Sequence, residues 1–259
     1  MKPDLSEIAQ NYVDLHRVFS KLLDAKILDR KSFVFYANPD SDWFTRIILK
    51  KNPDPQILKA ELEELRKLGY KSDILDFLNI RDHEPILNQI GYDSCNEQVG
   101  MFLSGNPNYK NENVISSKLD FRKIRDKNEL KVWLKIVNES FHSDDRENLY
   151  LRLLSVESFS VYAGFFKNTL VTTGMTFYNG RSYGLYSITT DPQYRGFGYA
   201  SEIVRFILNQ IRSEFSGIVI LHATDMGKGI YKKLGFEKSI LLRHWSSGAT
   251  PLEAGKLTE

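Results

Sequence analysis

The spacing of apolar residues predicts alternating helices and strands in the first hundred residues. Residues 4–27 repeat apolar side chains at helical intervals, which predicts an amphipathic helix packed on a core. A second helix is predicted at 56–68, closed by Gly69, and a short one at 85–90. Runs rich in β-forming residues predict four strands, at 32–36, 43–49, 74–78 and 97–103.

The same reading predicts a strand-rich second half. Strands are predicted at 119–124, 159–166, 170–177, 183–189, 217–221 and 240–245. Helices are predicted at 128–140, 145–155, 201–215 and 226–234. Asn168 and the pair Asn179-Gly180 are typical hairpin turns, so the middle strands are expected to form an antiparallel meander. A polar, turn-rich stretch at 104–117 is the best candidate for a linker.

Composition narrows the class of protein. Of 259 residues, 42% are hydrophobic and 26% charged, and no apolar run is long enough to span a membrane. The start of the chain lacks the apolar core of a signal peptide, so a cytoplasmic protein without membrane association is expected. The single cysteine, Cys95, excludes an intrachain disulfide, and the five histidines show no metal-ligand spacing, so no metal site is expected.

Charge argues against one class of partner and weakly suggests another. The formal net charge is +2, far below that of a dedicated nucleic-acid binder, so no nucleic-acid partner is expected. Up to residue 113 the chain has 15 basic and 18 acidic side chains, and beyond it 20 and 15. The basic excess of the second part would suit a small polyanionic ligand, although ordinary solvated surface explains so small a difference equally well.

The candidate chemistry lies in a strand, a turn of sequence RGFGYAS and a helix. Gly196 and Gly198 allow the backbone to turn tightly and to approach a ligand closely. The amides of the turn and of the first helical turn have no partner within the helix, and the helix dipole adds positive charge there. With Arg195 beside them, these amides form a potential phosphate or pyrophosphate site. On its own, such a turn is as often only a tight connection.

Three segments resemble the GNAT acetyltransferase superfamily. Arg195-x-x-Gly198-x-Ala200 matches its acetyl-coenzyme A (acetyl-CoA) signature R/Q-x-x-G-x-G/A, and residues 231–236 (YKKLGF) look like its Y-x-K-L-G-F segment. Residues 188–196 (ITTDPQYRG) resemble the strand that enters the phosphate loop. The resemblance covers about 119–245 and implies an N-acetyltransferase, with acetyl-CoA as acyl donor and a primary amine of a small molecule or peptide as acceptor.

The resemblance also implies roles for particular residues. The cofactor-binding positions would be Ile188, Thr189, Thr190, Arg195, Gly196, Phe197, Gly198, Tyr199, Ala200 and Ser201. In the family, the loop amides hold the pyrophosphate and the strand pairs with the pantetheine arm. Tyr231 would be the catalytic acid that protonates the leaving thiolate, since a phenol is a proton donor at neutral pH. Packing of the helix on the sheet is the alternative role for Tyr231.

One feature departs from the family. Many members carry a glutamate as general base on the strand before the phosphate loop, and the corresponding position falls near Gly184. Glu139, His142 and Glu157 are candidates to replace it, each also explained as a surface residue. Four aromatic residues are expected near the acceptor and suggest a partly apolar pocket: Phe141, Tyr178, Tyr183 and Tyr186.

The first half resembles the superfamily more faintly. Residues 85–92 (PILNQIGY) echo residues 231–236, but no phosphate-loop signature follows the strand at 43–49, where Lys50-Lys51-Asn52-Pro53 stands instead. The expected fold is α+β: a mixed, largely antiparallel GNAT-type sheet flanked by helices, preceded by a smaller α/β GNAT-like domain. We therefore expect a degenerate domain at 1–110, or an unrelated accessory domain, a linker at 111–117, a catalytic domain at 118–246 and a polar tail at 247–259.

Two other functions remain open. A dinucleotide-binding enzyme would use Gly196-x-Gly198 as the start of G-x-G-x-x-G, but Ser201 stands at the third glycine and the upstream strands are predicted to be antiparallel. A catalytically inactive module that binds coenzyme A, or only a protein partner, would explain the missing strand glutamate. The acceptor and the oligomeric state are not predicted.

Overall fold

The computed structural model describes residues 5–41, 43–70, 73–77, 80–105 and 118–247. In the first half the elements are α1 (Leu5–Leu22), β1 (Lys26–Asp29), β2 (Phe33–Ala37), β3 (Arg46–Leu49), α2 (Pro55–Lys67), β4 (Ile74–Asp76), α3 (Ile80–Gln89) and β5 (Asp93–Leu103). The predicted linker at 111–117 and the tail from 248 onward lie outside the described residues.

The second half has the elements β6 (Leu119–Lys123), α4 (Lys127–Phe141), α5 (Glu147–Leu153), β7 (Phe159–Phe166), β8 (Thr169–Tyr178), β9 (Ser182–Thr190), α6 (Tyr199–Arg212), β10 (Ile218–Ala223), α7 (Asp225–Lys233) and β11 (Glu237–Ser246). A single 3₁₀ turn at Pro192–Tyr194 connects β9 to the glycine-rich loop before α6.

All eleven strands join one sheet, in the order β1-β2-β3-β4-β11-β5-β10-β9-β8-β7-β6. Neighbouring strands are antiparallel except at two places, β3 with β4 and β9 with β10. Seven helices of the described residues flank the sheet. The prediction of an α+β fold with a mixed, largely antiparallel sheet is confirmed.

The two halves exchange their last strands at the centre of the sheet. β5, from the first half, lies between β10 and β11, and β11, from the second half, lies between β4 and β5. On either side of this central pair the chain repeats one plan, in which a parallel strand pair is followed outward by antiparallel strands. Neither half therefore completes its own sheet, although the sequence suggests two consecutive domains.

Helix α1 also ties the halves together. Its apolar face is buried, with Ile8, Leu15 and Phe19 fully excluded from solvent. Asn11, on the same helix, donates from Nδ2 to the carbonyl oxygen and the hydroxyl of Ser182 on β9, at 3.0 and 2.9 Å. A buried amide satisfied in this way fixes the register of α1 on the second half.

The first helix ends earlier than its apolar periodicity predicts. Asp24 adopts a left-handed conformation, with φ of 51°, and the amide of Ala25 bonds to the carbonyl of Ser20. This geometry terminates a helix, and the residues that follow form the edge strand β1. Glycine usually occupies such a position, and because aspartate stands here the sequence gives no stop signal.

Candidate active site

The parallel strands β9 and β10 pair along only part of their length. Their register runs from Ser182 opposite Ile218 to Leu185 opposite Leu221 and stops there. Beyond Leu185, no described strand pairs with the β10-facing edge of β9, while the other edge stays paired with β8 as far as Thr190. An unpaired edge of this kind can accept an extended ligand as an added strand.

A bulge reshapes β9 just after the strands separate. Ser187 has φ of 52°, a left-handed conformation that is rare for a residue with a side chain, and the register against β8 shifts between Thr173 and Met175. The hydroxyl of Thr173 donates to the Ser187 carbonyl at 2.8 Å, which helps to hold the bulge. Strained backbone of this kind is concentrated at functional sites, and serine at this position carried no signal in the sequence.

The glycine-rich loop leads from β9 into α6. Gly196 and Gly198 both have positive φ, 84° and 83°, and nothing lies within 4 Å of the place that a Cβ would take at either residue. Gly198 is the N-cap of α6 and provides no side-chain cap. The loop therefore presents an open concave backbone surface at a helix N-terminus.

Five successive backbone amides, 196–200, have no hydrogen-bond acceptor among the residues that the structure describes. Unpaired amides at a helix N-terminus, reinforced by the helix dipole, bind phosphate groups well. The geometry of the loop thus fits the pyrophosphate of a nucleotide cofactor.

The side chains around this loop divide into exposed and buried ones. Arg195 is exposed, and its Nε donates to the carbonyl of Thr190 at 3.1 Å. Phe197 is 67% exposed, whereas Tyr199 is buried and packs with Leu119 and Val171. Tyr199 therefore anchors the helix, and only its amide can face a ligand.

The strand and the last part of the loop are also fixed by local contacts. The carbonyl of Thr189 accepts a hydrogen bond from the Thr172 hydroxyl at 2.8 Å, and the side chain of Ile188 packs with the buried cluster under α6. Helix α6 begins at Tyr199, two residues before its predicted start, so Ala200 and Ser201 lie inside its first turn. The Ser201 amide donates to the carbonyl of Gly198, so the part of Ser201 that is available to a ligand is its hydroxyl.

A cavity of about 540 Å³ opens beside the separated strands. Ser187 and Ile188 on β9, His222 on β10 and Tyr231 on α7 contribute to its wall. The first half supplies wall residues too, from α1, from β3 and the residue before it, and from β5: Tyr12, Thr45, Arg46, Cys95, Asn96 and Gln98. The cleft is therefore built by both halves of the chain.

Tyr231 stands with its ring buried and its hydroxyl reaching the cavity. The side chain is 8% exposed and packs edge-on against Phe236, and no described residue hydrogen-bonds to its hydroxyl. Burial raises the pKa of the phenol, so the proton stays on the oxygen at neutral pH. One turn earlier in α7, a Cβ at Gly227 would come within 2.9 Å of the ring, so the glycine leaves room for it.

The strand position expected for a basic glutamate is closed. A Cβ at Gly184 would come within 2.3 Å of the Tyr186 ring and 2.4 Å of Asn11 Oδ1, and the Tyr186 hydroxyl donates to that oxygen at 2.7 Å. Of the three alternative candidates, only His142 lines the cavity. Glu139 is exposed and lies 3.8 Å from Lys135, and Glu157 is exposed.

Of the four aromatic residues predicted near the acceptor, two line the cavity and two do not. Phe141 and Tyr186 line the cavity, whereas Tyr178 and Tyr183 stack on each other at 4.7 Å between ring centres, at the opposite end of β9. The rings that sequence reasoning missed are Tyr12 and Trp43, which come from the first half and also line the cavity.

Three histidines with lowered pKa values lie at or near the cavity and were not expected there. Burial lowers the pKa of His16 to about 4, and those of His222 and His244 to about 3. His222 and His244 line the cavity directly. They are brought together by the central strands β10 and β11, and their separation in the sequence gave no signal of it.

The equivalent helix start in the first half is already capped. Asp54 Oδ1 accepts hydrogen bonds from the amides of Gln56 and Ile57, at 2.9 and 3.0 Å, and Pro55 has no amide hydrogen to offer. A carboxylate in this position occupies the amides and repels a phosphate. The open N-terminus of α6 has no counterpart at α2.

The described residues meet neither the requirements of a metal site nor those of a membrane-spanning helix. No group of three or more histidine, cysteine or acidic side chains is arranged there to hold a metal ion. No helix in the same part of the chain is both long and apolar enough to cross a membrane.

Comparison with known proteins finds one matching family model and several structures with a similar fold. A family model described as an acetyltransferase (GNAT) domain matches residues 120–239. No curated protein sequence matches the chain. A GCN5-related N-acetyltransferase from Kribbella flavida is similar in structure, with a TM-score of 0.67 and 14% identity over 92% of this chain and 96% of that one.

Two further structures share the architecture over most of the chain. A GCN5-related N-acetyltransferase from Sphaerobacter thermophilus has a TM-score of 0.60 and 12% identity, over 85% of this chain and 75% of that one. A tandem GNAT protein from the clavulanic acid biosynthesis pathway has a TM-score of 0.58 and 8% identity, over 83% and 78%. At these identities the similarity establishes the fold.

Proposed function

Since residues 120–239 form a GNAT acetyltransferase domain, we propose that this chain moves the acetyl group of acetyl-CoA to a primary amine. The observation that carries the proposal is the row of five amides at 196–200, which follow a strand edge; neither the amides nor that edge has a hydrogen-bond partner in the part of the chain that the structure describes. A pyrophosphate on these amides and a pantetheine arm along β9 would bring the thioester to the cavity.

The residues of β9 and the loop would bind and orient the donor. The unpaired edge of Ile188–Thr190 would hydrogen-bond the arm as an added strand, and the amides from Arg195 to Ala200 would hold the phosphates. Arg195 adds a positive charge at the loop. An amide of β9 that faces the thioester carbonyl would stabilise the oxyanion formed on attack, typically by a few kcal/mol.

Tyr231 would give its proton to the departing thiolate. The neutral amine attacks the thioester carbon directly, the C–S bond breaks, and the phenol hydroxyl protonates the sulfur; the proton that the nitrogen then loses restores the phenol. The raised pKa of the phenol keeps the proton in place before the reaction. The same apolar surroundings would also raise the pKa of a thiol beside it, so burial shifts the donor and the acceptor of the proton in the same direction.

The first half would bind no donor of its own and would complete the acceptor side of the cleft. Asp54 occupies the amides at the start of α2, and the first half contributes Tyr12, Trp43 and Arg46 to the cavity wall. We therefore regard 1–110 as a degenerate GNAT-like unit and 118–246 as the catalytic one, coupled through the exchanged strands β5 and β11.

Replacing Tyr231 by phenylalanine tests this function. The variant should lower kcat roughly ten- to a thousandfold and leave the affinity for acetyl-CoA nearly unchanged, because only the proton donor is lost. The measurement is release of free coenzyme A thiol in the presence of an amine panel, alongside calorimetric titration with acetyl-CoA.

Tyr162→Phe is the matched control. Tyr162 is exposed to the same 8% as Tyr231 and does not line the cavity, so its loss should leave turnover unchanged. Undiminished turnover in Tyr231→Phe would remove the acid role from this residue. Binding of acetyl-CoA without thiol release from any amine would favour the alternative, an inactive coenzyme A-binding module.

A further inference from the structure

The floor of the cavity, defined here as Arg46, His222 and His244, carries buried polar atoms without partners. Both ring nitrogens of His222, Nε2 of His244 and Nε of Arg46 have no hydrogen-bond partner among the described residues. Each unpaired buried group of this kind costs roughly 1–3 kcal/mol. Both ring nitrogens of His222 and Nε2 of His244 have almost no accessible surface, so a ligand in the cavity does not reach them. Arg46, whose side chain is 15% exposed, is the floor residue that can meet a ligand.

The floor offers one permanent positive charge. Burial holds the two histidines neutral at ordinary pH, so they add no charge to it. Arg46 is the one arginine or lysine among the described residues that line the cavity. A guanidinium is planar and always charged, which suits it to a carboxylate.

Two aspartates line the cavity, and neither neutralises the Arg46 guanidinium completely. Asp73 lies 3.3 Å from Nη1 of Arg46, and its side chain is 37% exposed, so the pair is weak and screened by water. Asp145 is used elsewhere: its two oxygens accept hydrogen bonds from Ser41 and Tyr150 at 2.5 and 2.8 Å. Arg46 therefore keeps the capacity to bind an anion.

The floor also lies beside the place of reaction. His222 follows Leu221, the last residue of β10 that pairs with β9, and Tyr231 lines the same cavity. A small molecule bound to the floor through one end would have its other end near the thioester. Trp43 and Phe141 give the remaining wall an apolar surface for a side chain.

We propose that the acceptor is an amino acid, whose carboxylate binds Arg46 and whose α-amine attacks the thioester. This inference rests on the proposed acetyl transfer and adds the class of amine to it. It assigns the first half of the chain, through Arg46, a direct role in binding the acceptor.

The test compares amines in pairs. Amino acids with apolar side chains are each matched with the amine that has the same side chain and no carboxylate, and thiol release is measured with acetyl-CoA. In the wild-type protein the amino acid should be preferred by roughly tenfold or more in kcat/KM. The corresponding carboxylic acid without the amine should compete with the acceptor, a result that requires no variant.

Arg46→Gln should remove the preference. For the amino acid, kcat/KM should fall roughly ten- to a hundredfold, mainly through KM, while the matched amine changes less than about threefold. Arg46→Lys should be intermediate, because it keeps the charge and loses the planar fork. Arg243→Gln is the control, since Arg243 pairs with Glu84 and Glu97 and does not line the cavity.

The outcomes separate the two proposals. Equal use of amines with and without a carboxylate, no competition by the carboxylic acid, or an equal loss for both amines in Arg46→Gln would overturn the amino-acid assignment while acetyl transfer stands. Failure of the wild-type protein to bind acetyl-CoA would overturn the acetyl transfer itself.

Discussion

At the scale of single residues, burial controls the charge of the cleft. His16 and His222 pack against aromatic rings, and burial lowers the pKa of both and of His244. Such a histidine stays neutral in the folded chain but has a pKa near 6.5 in the unfolded chain. Below about pH 6.5 the unfolded chain therefore binds more protons than the folded chain. Stability therefore falls as the pH drops from about 6.5 toward the folded pKa values.

His222→Phe tests this linkage. The substitution keeps a ring among Tyr12, Phe77 and Tyr186 and removes the titration. When the pH drops from 7 to 5, the free energy of unfolding should fall in the wild type and in the variant. The fall should be smaller in the variant, by on the order of 2 kcal/mol. The measurement is urea unfolding at each pH, with Tyr12→Phe as the control that leaves the acid slope unchanged. Parallel pH curves for His222→Phe and the wild type would contradict the account.

Residues differ in how visible their roles are in the sequence. The tight turn at Gly196 and Gly198 could be predicted, because glycine readily adopts the positive φ that both residues have and Arg195 completes a known signature. Ser187, Arg46 and His222 could not, because the left-handed bulge, the buried guanidinium and the unpaired imidazole depend on strands that meet only in the folded chain.

At the scale of elements, the two helix N-termini explain why one half is expected to bind the donor. Helix α6 starts at Gly198 without a side-chain cap, whereas the Asp54 carboxylate caps α2. The same structural plan thus has an open helix start, of the kind that suits an anion, in one copy and a side-chain-capped one in the other.

Gly198→Val tests the open helix start. The β-branched side chain would fill the space next to the free amides, and calorimetry should show the loss of acetyl-CoA binding by roughly a hundredfold or more. Gly180→Val is matched in backbone strain, with φ of 91° and open space around it, but lies in the hairpin before β9. Comparable affinity in the two valine variants would show that the loop is only a connection.

Element positions were largely predictable, and their partners were not. The helices α2, α4 and α7 lie within one residue of their predicted bounds and α6 within three, because apolar spacing and caps are local signals. The short strands of the first half were harder to place: β3 begins at Arg46 rather than at Trp43, and β1 was missed. The insertion of β5 between β10 and β11 pairs residues more than a hundred positions apart, which no local pattern encodes.

At the scale of the whole molecule, the exchanged strands make one cleft out of two similar halves. The second half carries the family motif and the open phosphate loop, and the first half supplies Tyr12, Trp43 and Arg46 to the same cavity. The resemblance to the GNAT superfamily and the tandem fold are confirmed, whereas the sharing of the cleft follows only from the structure. A chain of this design should bind one donor molecule, in its second half.

Calorimetric titration of the full chain with acetyl-CoA, with NADH as the control ligand, measures this directly. The account predicts micromolar or tighter binding of acetyl-CoA at one site per chain, no binding of NADH, and loss of that single site in Gly198→Val. Two equivalent sites would contradict the assignment of the first half as a degenerate copy, and no binding to the folded protein would contradict the assignment of the chain as an acetyltransferase.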